Sequence, residues 1–170
     1  MKITVKLSAE SLRKAAAEVR AYKARIEKLA AELTAELAAQ GAQIALVEAG
    51  NIRMTGTLLS SIVSEFNGNF GFVKCKCGYA VYVEFGTGVV GKAKKHPDIS
   101  IVGWSYDVNS HGELGWWYPT TETDPNPYKR KGKDGKMYAW TKGMPSRPFM
   151  YNTARELRRL VIPTARGLIS

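Results

Sequence analysis

Two cysteines one residue apart, Cys75-Lys76-Cys77, and two histidines, His96 and His111, are the side chains best suited to hold a metal or to pair a nucleophile with a base. On a strand, residues i and i+2 share a face, so both sulfurs would point the same way and the histidines could complete a tetrahedral zinc site. The spacing matches no zinc module, however, and strand cysteines are more often small hydrophobes than ligands. A disulfide between them is geometrically awkward, and two cysteines build no disulfide framework. The expectation is no metal and no cofactor. A Cys–His catalytic pair is weaker still, because both histidines lie in a polar stretch with no recognisable orienting group or oxyanion hole.

Glu84 is the one acid set in an apolar segment, Tyr79-Ala80-Val81-Tyr82-Val83-Glu84-Phe85. It reads either as a buried, hydrogen-bonded carboxylate or, with more weight, as a strand-edge acid paired with a basic neighbour. Gly86-Thr87-Gly88 lacks the lysine and the following helix of a phosphate-binding loop and reads as a turn. No acid, base and nucleophile set emerges, so the chain is expected not to be an enzyme.

Charge is the next candidate chemistry. The 170 residues carry 25 Lys and Arg against 15 Asp and Glu, a net +10. The excess is +3 over residues 1–88, +3 over 89–143 and +4 over 144–170. Its densest block is Lys129-Arg130-Lys131-Gly132-Lys133, which can meet phosphates or an acidic partner surface. Trp104, Trp116, Trp117 and Trp140 share the 89–143 segment with that block. Aromatics among lysines can stack on single-stranded bases, and equally they anchor protein interfaces. Protein contacts are favoured, because the acids from Asp98 to Asp124 adjoin the tryptophans and repel nucleic acid.

The elements that must position these groups follow from periodicity. Ile3 and Val5 alternate with Lys2, Thr4 and Lys6, which suits a short first strand. After Ser8, a helix cap, Leu12, Ala15, Val19, Tyr22, Ile26, Leu29 and Leu33 recur at spacings of three and four, marking a long amphipathic helix. Its seam shifts to Leu37, Ile44 and Val47, with Gly41 a place to bend or break and Gly50-Asn51 its end. A helical turn then leads into a strand, Ile62 to Phe66. Asn67-Gly68-Asn69 is a hairpin signal, with a return strand from Phe70 to Cys77. Tyr79 to Phe85 alternates Val81, Val83 and Phe85 against Ala80, Tyr82 and Glu84 and reads as a third strand.

Residues 89–143 are too long for an ordinary connection. Ile99–Val102 and Met137–Trp140 read as strands inside it, the second preceded by a turn over 133–136. Pro145 and Pro148 hold the chain extended. From Asn152 or Thr153 a last helix places Ala154, Leu157, Val161 and Leu168 inward and Arg155, Arg158 and Arg159 outward, with Pro163 bending or ending it. The fold class is therefore α+β: a long N-terminal and a C-terminal helix on a small antiparallel sheet. One domain is expected, its core being 1–88 plus 144–170 and its insertion 89–143. No apolar stretch reaches the length of a membrane span, and the first residues lack a signal peptide's apolar block, so synthesis in the cytoplasm is expected.

Three segments in order, residues 55–62 (TGTLLSSI), 79–88 (YAVYVEFGTG) and 147–150 (RPFM) before a final helix, together resemble the gene-ten-like tail-component proteins of long-tailed phages and prophages. Leu59 stands where that family usually has an arginine, and the 89–143 segment is longer and more aromatic than the usual link. The resemblance implies an α+β virion protein of the neck or upper tail, a tail-completion or head-tail joining part without catalytic residues. It would assemble as a homo-oligomeric ring, a hexamer or dodecamer, between the head connector and the tail tube. Its partners would be head-completion, tail-terminator or tail-tube proteins, with transient DNA contact and no membrane. On this reading Val81, Val83 and Phe85 form one interface edge and the N-terminal helix another, while Trp104, Trp116 and Trp117 order the 89–143 segment on a neighbour. Removing 92–142 would leave the monomer folded. The competing reading is a non-specific nucleic-acid-binding protein that uses Lys129, Arg130, Lys131, Lys133 and the C-terminal arginines.

Overall fold

A computed structural model describes residues 8–52, 56–68, 70–98, 100, 103–107 and 109–169. The strand expected at Met1–Lys6 and most of that expected at Ile99–Val102 lie outside the described residues.

The chain is α+β. Its spine is α1, Ala9–Gly50, one unbroken helix of 42 residues and about 63 Å at 1.5 Å per residue. Ser8 opens it, its hydroxyl accepting the Ser11 N–H at 3.2 Å. Gly41 does not break the helix. A Cβ at this position would come within 2.7 Å of Val73 Cγ2 and 2.8 Å of Leu157 Cδ1, so the glycine lets two other elements close on α1. Only the second half of α1 is buried, through Ala38, Gly41, Ala42, Ala45 and Ala49. Small side chains there allow the close approach.

After α2, Gly56–Ser60, the hairpin forms as the Asn-Gly signal predicts: β1, Ile62–Phe66, pairs antiparallel with β2, Gly71–Cys75. Its inner face, Ile62, Val73 and Cys75, joins the core that Leu58, Ala80, Val83 and Phe149 build against α1.

Residues Ala80–Phe85 form a helix, α3, and not the expected strand. Its buried positions are Ala80, Val83 and Glu84, the three-and-four spacing of one helical face. Val83 is wholly buried while Val81 is 41% exposed. The expected strand edge of Val81, Val83 and Phe85 therefore does not exist; a seven-residue, mostly apolar run bounded by Gly78 and Gly86 satisfies either period, and packing into the core beside Leu58 and Phe149 decides it. A second short helix, α4, Gly88–Ala93, follows Thr87.

The 89–143 segment carries a three-stranded antiparallel sheet: β3, Trp116–Thr120; β4, Lys129–Lys131; and β5, Met137–Thr141, in the order β3-β5-β4. The short β6, Gly143–Met144, ties this sheet back through bridges from Thr87 to Met144 and from Gly88 to Gly143. Gly143 has φ 102°, and a Cβ there would run into the Thr87 carbonyl, so only glycine permits the crossing. The main apolar cluster draws on residues 42–83 and 144–150, while His96 and Ala139 are buried outside it, within the 89–143 segment.

The final helix, α5, runs from Phe149 to Ile169, three residues earlier than Asn152, and continues through Pro163. It lies antiparallel along α1: Asn152 Nδ2 donates to Glu48 Oε2 at 2.8 Å, and Thr164 Oγ1 to Gln40 Oε1 at 3.4 Å. Its inner face is Phe149, Thr153, Leu157 and Leu160, whereas Ala154 and Val161, expected inside, are exposed. Among the described residues no helix is long and apolar enough to cross a membrane.

Candidate functional site

The most densely bonded polar group in the core is Glu84. Its position on α3 aims the side chain at the start of α5, where the N–H groups of Phe149, Met150 and Tyr151 precede the first helical bond, from Asn152 N to the Pro148 carbonyl. Glu84 Oε2 accepts from Met150 N and Oε1 from Tyr151 N, both at 2.9 Å. Oε1 also lies 3.1 Å from His96 Nε2. Since His96 Nδ1 accepts the Asp98 N–H at 3.1 Å, the proton of the neutral ring sits on Nε2 and points at the carboxylate. Glu84 is thus a buried, hydrogen-bonded acid, the lighter of the two sequence readings.

The backbone closes the same knot. Arg147 N donates to the Val83 carbonyl at 2.9 Å, and Ser146 Oγ donates to the Glu84 carbonyl at 2.5 Å. Around it stand aromatic rings: His96 lies between Phe85 at 4.8 Å and Tyr151 at 5.1 Å, and Phe85 is 5.0 Å from Trp104. Trp104 Nε1 donates to the Gly86 carbonyl at 3.1 Å. A carboxylate that already holds two backbone N–H groups and an imidazole is committed to structure; a general base needs a free lone pair aimed at substrate.

A cleft of about 440 Å³ is lined by Tyr79, Tyr82, Tyr106, His111, Trp116 and Tyr118. The His111 backbone N–H donates to Asp107 Oδ1 at 2.7 Å, and its ring lies 5.2 Å from Trp116.

The remaining sequence candidates are dispersed. Cys75 Sγ sits 3.1 Å from Ser61 Oγ, and both cysteines are free thiols. Among the described residues no group of three or more His, Cys, Asp or Glu side chains is placed to share a metal ion. Trp117, partly exposed, carries the Arg130 guanidinium 4.0 Å over its ring. Lys129 Nζ turns inward and donates to the carbonyls of Glu122 at 2.7 Å and Asp124 at 2.6 Å. Lys131 and Lys133 are exposed.

Asp124 organises the loop between β3 and β4. It accepts from Thr120 Oγ1, from Tyr118 OH at 3.1 Å and from Asn126 N at 2.8 Å. The Thr120 hydroxyl, then the Asn126 N–H, hold its carboxyl below the usual range, and the same proximity raises the Tyr118 phenol, which burial raises most. Sequence reading missed Asp124 and the role of His96. The Thr-x-x-x-Asp-x-Asn spacing of the first is a turn signal visible in the sequence, whereas the second has no local mark.

No protein-family model, curated protein or solved structure matches this chain.

Proposed function

We propose that this protein is a structural subunit of a phage or prophage virion, located at the neck or upper tail, which acts by closing into a ring between head connector and tail tube. The observation that carries the reading is the knot at Glu84. Two of the segments that resemble the gene-ten-like family, residues 79–88 and 147–150, are distant in sequence and interlock through Glu84, Val83, Ser146 and Arg147. Segments that lock one another belong to one architecture, and the polar groups they share serve folding instead of turnover. On this reading the function is one of assembly.

The residues expected at contacts differ in exposure. Val83 is interior, Phe85 and Trp104 are half-buried against each other with Phe85 also on His96, and Val81 and Trp117 are exposed. Further exposed apolar surface lies at the hairpin, on Phe66, Phe70 and Phe72, and beside the three-stranded sheet at Tyr128. Two different patches of this kind are what a heterologous, ring-closing contact requires. The nucleic-acid reading loses weight because Lys129 is spent on backbone carbonyls and Arg130 on Trp117.

Mass in solution, alone and with a tail-tube protein, at low and high salt, tests the reading. A closed ring that survives salt supports it. A monomer that gains mass only with DNA, and loses it in salt, replaces it with the nucleic-acid reading.

A further inference from the structure

The first half of α1 presents an apolar line that the described chain leaves uncovered. Leu12, Val19 and Ile26 are 55, 53 and 47% exposed and Tyr22 is 49% exposed. From Leu12 to Leu33 the line follows a strict seven-residue repeat: Leu12, Val19, Ile26 and Leu33 at the first position (a), Ala15, Tyr22 and Leu29 at the fourth (d). The next a position is Gln40, where α5 docks through Thr164. A helix therefore already lies along the continuation of this line. Before Leu29 its place is open among the described residues.

We propose that residues 12–33 pack in parallel and in register against the same segment of a second copy, as a two-stranded coiled coil. A sustained heptad with apolar a and d positions forms this structure, and β-branched residues at a, here Val19 and Ile26, with leucine at d, here Leu29, favour two strands. The flanking charges fit the parallel arrangement. In it, the residue before each a faces the residue five positions later on the partner helix, which sets Glu18 against Lys23 twice across the pair. Lys23 rests 3.6 Å from Glu27 of its own helix in an exposed pair, a weak contact that leaves it available. An antiparallel pairing that keeps opposite charges together, Glu18 facing Arg25, aligns Leu12 with Leu29 and leaves Leu33 without a layer; the alternative register sets Glu18 against Glu32 and Arg25 against Arg25. The parallel pair alone uses every apolar position.

This inference goes beyond the ring reading and stands on the helix itself. Combined with that reading, it makes the ring an assembly of pairs with an even number of copies.

The test is sedimentation mass of the full chain without partners. Wild type is expected at two copies or a multiple of two. The double substitution Val19→Lys with Ile26→Lys is expected to lower the mass at least twofold while leaving the tryptophan fluorescence melt unchanged, since neither residue reaches the core. Glu18→Lys weakens the pair, and Glu18→Lys with Lys23→Glu restores it. In a Cys75→Ala, Cys77→Ala background, Tyr22→Cys cross-links to itself only if the helices run parallel and in register. A wild-type monomer, an unchanged mass in the double variant, or no cross-link at position 22 overturns the proposal. Rings that persist in the double variant would remove the coiled coil and leave the ring reading standing; pairs that never close into rings would do the reverse.

Discussion

The backbone N–H of Tyr151 donates to the carboxylate of Glu84 at 2.9 Å across 67 positions of sequence. That bond, with the companion from Met150, makes a side chain from one helix the N-terminal cap of another. A negative charge there also meets the positive end of the α5 dipole.

Removing the carboxylate leaves two helix N–H groups and the His96 Nε2–H without their acceptor in a buried site. Glu84→Ala is therefore expected to cost about 3 kcal/mol, and Glu84→Gln, which keeps one acceptor, about half as much. Chemical denaturation with equal slopes measures both. A Glu84→Ala protein as stable as wild type would show that α5 is held by its packing on α1 alone.

Gly41 sets two opposed effects against each other. Alanine gains about 1 kcal/mol of helix propensity, while its Cβ would press on Val73 and Leu157, an overpacking that costs about 1–3 kcal/mol. Valine's χ1 is stiff, so Gly41→Ala is expected to destabilise, and Val73→Ala in the same chain to recover part of the loss. Gly50 serves as the control: a Cβ added there would meet no atom within 4 Å, and Gly50→Ala is expected to be neutral or stabilising in the same melts.

How much of this was legible depended on the range of the interactions. The hairpin was, because Asn67-Gly68 between two apolar runs fixes it within a short stretch of chain. So was the amphipathic helix, by its regular spacing. β5 was read, but its neighbours were not: β3 contains Pro119 and β4 is Lys-Arg-Lys, compositions that argue against strands in general. Both are edge strands of the sheet, where a missing N–H is tolerated and charges are favoured. Glu84 itself was marked, as the one acid in an apolar segment, but its partners were not. Its acceptor bonds reach 66 and 67 positions downstream, and no local pattern marks partners that are brought to it only by the packing of α5 on α1.

Asp124 gives the fold a dependence on acid. Its carboxyl is held low in the folded chain, chiefly by Thr120 and then by Asn126, against an unfolded value of 3.8. A depressed folded value contributes stability that is present above the unfolded value and is lost as pH falls through the folded one. The β3–β4 loop should thus loosen below about pH 4. Asp124→Asn is expected to lower the melting temperature at neutral pH and to flatten its decline in acid. Glu65, Asp98 and Asp134 shift in the same direction, so the variant keeps part of the slope. Parallel acid titrations of melting for the two proteins would expose the difference, and identical curves would remove Asp124 from this role.

Val81 and Val83 distinguish a helix from a strand at residues 80–85. On a strand they would share a face and respond alike to substitution. On α3, Val83 is wholly buried among Leu58, Ala80 and Phe149, while Val81 is exposed. Val83→Ala is accordingly expected to cost about 2 kcal/mol through lost burial and the cavity left behind, and Val81→Ala less than about 0.5 kcal/mol. The same pair bears on assembly: Val81→Asp should leave the monomer folded, and a ring that still forms in that variant places the subunit contact elsewhere, at the exposed phenylalanines of the hairpin. Equal destabilisation by the two alanines would restore the strand and, with it, the edge of Val81, Val83 and Phe85 as a contact surface.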